Sequence, residues 1–145
     1  MKGFLKIESI WEDDSLLEIK VVASNGKFSG EAECYTNRTT IAELGNSLID
    51  FPNSLETIVE FTTGERDDLS FFSLKFYCGD GSGHIYMKVK ICHNEGYSNK
   101  KGEQFSSVFE IPVEPSQIDK FVKSLNRIAI EELGSVSAEI RASNS

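Results

Sequence analysis

The sequence predicts a single α+β domain: a mostly antiparallel sheet, or partly open sandwich, of about seven strands with two helices packed on it. Three observations carry that expectation. Period-two alternation of apolar and polar side chains runs through both arms of Leu69–His93, as a half-buried antiparallel pair requires. Two stretches, Thr40–Phe51 and Ser116–Leu133, instead repeat their apolar residues at helical spacing. Asn, Gly and Pro punctuate the chain at the joints between these segments.

The opening reads as a three-strand meander. Phe4 to Ile10 sets Leu5 and Ile7 against Lys6 and Glu8, and Glu12-Asp13-Asp14-Ser15 forms an exposed turn. Leu16 to Ala23 alternates Leu17, Ile19 and Val21 with Glu18 and Lys20. Asn25-Gly26, the commonest type I′ hairpin signal, then leads into Phe28 to Tyr35. That strand is expected to bury Phe28, Ala32 and Cys34 and to expose Ser29, Glu31, Glu33 and Tyr35.

Thr40-Ile41-Ala42-Glu43 has the form of a capping box, with Ile41, Leu44, Leu48 and Phe51 as the apolar stripe of the helix and Pro52 closing it. Gly45 costs about 1 kcal/mol there relative to Ala, which suggests close packing on a neighbour. Glu56 to Thr63 is a short strand with Val59 and Phe61 inward.

In the hairpin that follows, Phe72, Leu74, Phe76 and Cys78 share a face with Ile85, Met87, Val89 and Ile91, joined by Gly79-Asp80-Gly81-Ser82-Gly83. Two registers keep that apolar row together. A tight Gly81-Ser82 turn pairs Lys75 with Lys88, whereas a shift of two residues sets Lys75 beside Tyr86; a one-residue slip would expose the row.

His93 to Gly102 is polar and reads as a loop. Gln104 to Val113 returns to strand with Phe105, Phe109, Ile111 and Val113 inward, and Pro112 marks a sheet edge or strand end. The last helix takes Ser116 as its N-cap and carries the stripe Ile118, Phe121, Val122, Leu125, Ile128, Ala129 and Leu133, with Gly134 ending it. The tail from about residue 135 adds a short extended stretch through Val136 and Ile140 before fraying.

Composition narrows the function classes. A chain of 145 residues, 39% hydrophobic and 26% charged, is long enough for one core and too apolar for disorder, so one domain over 1–145 is expected. A formal charge of −8 disfavours nucleic acid as a partner and favours a basic protein. No apolar run reaches the roughly 20 residues that span a bilayer, and the first residues lack a signal segment, so the expectation is no membrane and a cytoplasmic location. Three cysteines without paired spacing fit a reducing compartment.

The chemistry-bearing residues do not converge. Cys78, Asp80, His84, Cys92 and His93 invite a metal reading, yet alternation puts Cys78 and His84, and Cys92 and His93, on opposite faces. Cys92 and His84 lie roughly 26 Å apart along one strand, too far for a nucleophilic pair. The glycines of the hairpin turn open onto a strand, not the helix N-terminus that a phosphate loop needs. The carboxylate pairs Glu31–Glu33 and Asp67–Asp68 are what 23 acidic residues produce by chance. The expectation is therefore no catalytic residue, no metal and no cofactor.

One resemblance points further. Ile41-x-x-Leu44-Gly45-x-x-Leu48-x-x-Phe51-Pro52, a short strand to Gly64, then Phe76-Tyr77-x-x-Asp80-x-x-Gly83-His84-x-x-x-x-Val89 and a Leu/Ile-rich final helix, together covering Phe28 to Leu133, resemble the WapI-type immunity proteins and related small bacterial domains found beside polymorphic toxins. The resemblance implies a cytoplasmic, non-enzymatic protein that binds and blocks a toxin domain.

Two function classes stand side by side. The first is an acidic protein-binding domain whose target is a basic, nuclease-type toxin domain; its candidate contact residues are Glu12, Asp13, Asp14, Glu31, Glu33, Glu65, Asp67 and Asp68. The second is a small-ligand or carbohydrate-binding module using Tyr35, Phe71, Tyr77 and Tyr86, because aromatic rings on a sheet face can stack on sugars. The sequence names neither the partner nor the oligomeric state.

Overall fold

A computed structural model of the chain describes residues 3–63, 70–94, 104–134 and 136–143. Its strands are β1 (Phe4–Glu12), β2 (Leu17–Ser24), β3 (Ser29–Thr36), β4 (Val59–Thr63), β5 (Ser70–Cys78), β6 (Ile85–Asn94), β7 (Gln104–Val113) and β8 (Ser137–Arg141). Its helices are α1 (Arg38–Ser47), after β3, and α2 (Pro115–Ile130), after β7. The α+β expectation holds, with eight described strands in place of about seven.

The strands form two antiparallel four-stranded sheets. Sheet A has the order β3-β2-β1-β8, and sheet B is the meander β4-β5-β6-β7. The additional strand is β8, the short extended stretch expected in the tail around Ile140. Its Ala138 and Ile140 are fully buried beside Ile7 and Leu5 of β1, which is what holds it.

Edge strand β3 crosses β5 and β6, so the sheets close on each other at that side. The helices fill the opposite side. α2 packs along α1 and β8, and its Phe121 meets Phe76 of sheet B at 6.4 Å between ring centroids. It therefore bridges the two sheets, rather than sharing one sheet face with α1 as expected. Leu5, Ile19, Leu74, Phe76, Met87, Ile111, Phe121 and Leu125 are all fully buried in one continuous core. Each such side chain contributes roughly 1.5–3 kcal/mol of burial.

Both helix starts lie earlier than the sequence suggested. Asn37, not Thr40, caps α1: its Oδ1 accepts from Thr40 N at 2.8 Å. An Asn carboxamide three residues upstream outcompetes the capping box expected at Thr40–Glu43. In α2 Pro115 takes the first helical position and Glu114 the cap, so Ser116 lies inside the helix. The α1 stripe is buried through Phe51, but regular helix stops at Ser47 and single turns carry Leu48 and Phe51 inward.

Two aromatic assignments fail, both at strand ends. Phe28 is 62% exposed and Phe105 50% exposed, although both were expected inside. Phe28 belongs to the β2–β3 turn, where its backbone carbonyl accepts from Asn25 N at 3.0 Å. The central residues of that turn are thus Gly26 and Lys27, and only Gly26 has positive φ, at 95°. A type I′ turn needs two such residues, so that expectation is not met. Phe105 instead stacks on His93 of β6.

The β5–β6 hairpin takes the tight register, with Lys75 opposite Lys88 and Phe76 opposite Met87. β7 has the predicted bounds and is an edge strand, as Pro112 required. The tail crosses that edge, with Ser143 N donating to Pro112 O at 2.7 Å.

Candidate functional site

Of the eight acidic candidates, Glu12, Asp13, Asp14, Glu31 and Glu33 fall among the described residues; Glu65, Asp67 and Asp68 lie outside them. The five divide between the β1–β2 turn and the outer face of sheet A.

In the turn, two of the three carboxylates have internal partners. Asp13 Oδ1 accepts from Ser15 N at 2.9 Å and Leu16 N at 2.8 Å, and these backbone bonds hold its carboxyl below the ordinary aspartate range. Glu12 Oε2 accepts from Arg38 Nε at 3.0 Å and Nη2 at 2.8 Å. The same guanidinium donates through Nη1 to Ile128 O at 2.7 Å and Glu131 O at 2.8 Å. Arg38 thus ties the turn to the open C-terminal carbonyls of α2, and Asp14 remains exposed beside them. A cleft of about 280 Å³ separates this turn from the start of α1.

The outer face of sheet A is richer in carboxylates. Register across its strands sets Glu31, Val22, Lys6 and Glu139 in one row and Glu33, Lys20, Glu8 and Ser137 in the next. Lys20 Nζ pairs with Glu31 Oε1 at 3.1 Å, an exposed bridge worth less than about 1 kcal/mol. Beyond these rows, β1 carries an irregularity: Ser9 opposes Ile19 but Trp11 opposes Glu18, which leaves Ile10 as an extra residue. Such a bulge reverses the parity of the strand. Trp11, which would otherwise follow Ile7 and Ser9 into the core, turns outward.

There it meets Tyr35 edge-on, with centroids 6.2 Å apart and planes at 88°, although one residue of β2 separates their strands. That residue is Glu18. Burial first, and Glu33 second, push the Glu18 carboxyl above the ordinary glutamate range. Both rings stay open to solvent, Trp11 at 44% and Tyr35 at 53%. Sequence reasoning placed Tyr35 outward but missed Trp11, because alternation carries no sign of a bulge.

The outer face of sheet B differs in charge. Its lysines, Lys75, Lys88 and Lys90, stand among Glu60 and Glu110. Three aromatics proposed for sugar stacking lie here, while Tyr35 lies on the other sheet. Tyr77 packs on Tyr86 at 6.0 Å, Lys75 Nζ sits 5.6 Å from the Tyr77 ring centre, and Lys90 Nζ sits 5.6 Å from that of Phe71. The four rings do not form one platform. Burial and then Glu110 push the Tyr77 phenol up to about 12.

The Cys, His and Asp side chains weighed as metal ligands have other neighbours. Asp80 Oδ2 pairs with His84 Nδ1 at 2.7 Å within the β5–β6 turn, while His93 Nδ1 lies 3.0 Å from Ser70 Oγ. Among the described residues no three His, Cys, Asp or Glu side chains converge as metal ligands. None of the described helices is long and apolar enough to cross a membrane.

A family model described as the Immunity protein WapI-like family matches residues 3–131. The chain belongs to that family. No curated protein and no solved structure matches it. The residues on which the resemblance was read are architectural: Ile41, Leu44, Leu48, Phe51 and Phe76 are core, and Asp80, Gly83 and His84 form the stapled turn. The WapI-like match stops at the C-terminus of α2, where Arg38 binds, and β8 lies beyond it.

Proposed function

We propose that this chain is an immunity protein that binds a toxin domain and blocks it by contact, without catalysis of its own. Membership of the WapI-like family is the observation that carries the reading. The charge of the chain supports its finer part. With a net −8 and glutamates along the outer face of sheet A, the complementary partner is a basic domain. A nuclease-type toxin fits, because a surface built to hold a phosphate backbone is positive and an acidic face can cover it. The encounter belongs in the cytoplasm, where Cys34, Cys78 and Cys92, none of them in a disulfide here, would stay reduced.

The test is co-expression with the toxic domain of any polymorphic toxin whose gene is found next to this one. The chain should restore growth to cells producing that domain and co-purify with it. Continued killing, with no complex at micromolar concentrations, would remove the proposal.

A further inference from the structure

We infer that Trp11, Glu18 and Tyr35 form a notch on the outer face of sheet A that receives an arginine or lysine side chain of the basic partner. This rests on the immunity reading and locates the centre of its contact. Three observations meet at this point. The bulge at Ile10 diverts a tryptophan, the only one in the chain, from the core side to the solvent side. Its ring and that of Tyr35 then lie edge to face directly over the β2 position of Glu18, each about half exposed. Around them stand Glu8 and Glu33, with Lys20 already engaged by Glu31.

A carboxylate framed by two aromatic rings suits a cation, which gains a charge partner and a π face together. Arginine suits it best, since a planar guanidinium stacks as well as pairs. Rigid aromatics beside a charged group also make the usual anchors of a protein interface, because they bury large area at low entropic cost. Partial burial of Glu18 already removes some of its water, so less remains to be stripped when a cation arrives.

The single tryptophan provides the readout. Titration with hexa-arginine amide should change the Trp11 emission saturably, and a hexaserine amide should not. Glu18→Gln and Tyr35→Ala should weaken the apparent affinity by about threefold to thirtyfold. Tyr35→Phe should retain it. Glu60→Gln on sheet B removes the same charge and should change it by less than about twofold. No saturable change in the wild type, or equal weakening by Glu18→Gln and Glu60→Gln, would overturn the notch. The toxin domain separates the two readings. If Trp11→Ala binds it as tightly as wild type, the notch fails and immunity stands. If the wild type binds the peptide but not the toxin domain, immunity fails and the notch stands.

Discussion

Lys75 stands directly opposite Lys88 across the β5–β6 ladder, a like-charge pair at the centre of sheet B. The neighbouring strands answer it, since Glu60 faces Lys75 and Glu110 faces Lys88. The row runs Glu-Lys-Lys-Glu, so each lysine has one attractive neighbour and one repulsive one, each term about 0.2–1 kcal/mol. Replacing Glu110 with Gln should therefore lower stability by a similar amount. Lys88→Thr should be close to neutral alone but stabilising in the Glu110→Gln background. Urea denaturation of the four proteins checks this, and additive effects would show that the row is not coupled.

Gly45 of α1 faces Asn126 of α2, where a Cβ would lie 2.8 Å from Asn126 Oδ1. The obstacle is the end of a side chain, not backbone. Gly45→Ala alone should stay within about 0.5 kcal/mol of wild type, because the helix-propensity gain offsets the displaced amide. Adding Asn126→Ala should leave the double variant about 1 kcal/mol more stable than Asn126→Ala alone. Thermal melts of the cycle test it; a destabilised double variant would mean that the helix backbones themselves are in contact.

Arg38 joins the β1–β2 turn to α2 with one guanidinium. Arg38→Ala should cost about 2–3 kcal/mol, mainly through the Ile128 and Glu131 carbonyls left without their charged donor. Its exposed bridge to Glu12 adds little. Arg38→Lys should recover less than half, since an ammonium cannot fork to both sides. Full recovery in chemical denaturation would reduce the contact to simple charge pairing.

The acidic groups give opposite pH dependences. Asp13 and Asp80 are held below the ordinary 3.8, so their stabilisation is present above that value and is lost as pH falls through their lowered pKa. Glu18 is raised above 4.5, so the native state holds its proton more tightly than the unfolded chain does. Its contribution is lost as pH rises through the raised pKa, and the folded protein then carries a penalty at neutral pH. Glu18→Gln should accordingly raise stability at pH 7 and remove that part of the decline above pH 4.5, seen in urea midpoints from pH 4 to 7. Parallel curves for variant and wild type would contradict the placement of Glu18.

Alternation and helical spacing made most of the architecture legible. Gln104–Val113 was placed to the residue, and the Ile118–Phe121–Val122–Leu125–Ile128 stripe is the buried face of α2. Local capping competition was harder, because Thr40 with Glu43 satisfies the same backbone donors that Asn37 reaches first. The candidate site was the least legible part. Composition shows that the chain is acidic, but only the register sets Glu18 between Trp11 and Tyr35, and one inserted residue at Ile10 decides which way Trp11 points. Phe28 and Phe105 fail for a related reason, since alternation constrains side chains only while a strand is paired on the core.

The most direct test of the proposed binding through the acidic face is the association rate with a toxin domain that the chain neutralises, followed by stopped flow as salt increases. Electrostatic steering should make the wild-type rate fall by at least about tenfold between 20 mM and 500 mM salt. Glu31→Lys with Glu33→Lys should slow association at low salt and flatten that dependence, with the urea midpoint little changed. A rate independent of salt, or unaltered by the two reversals, would contradict the account.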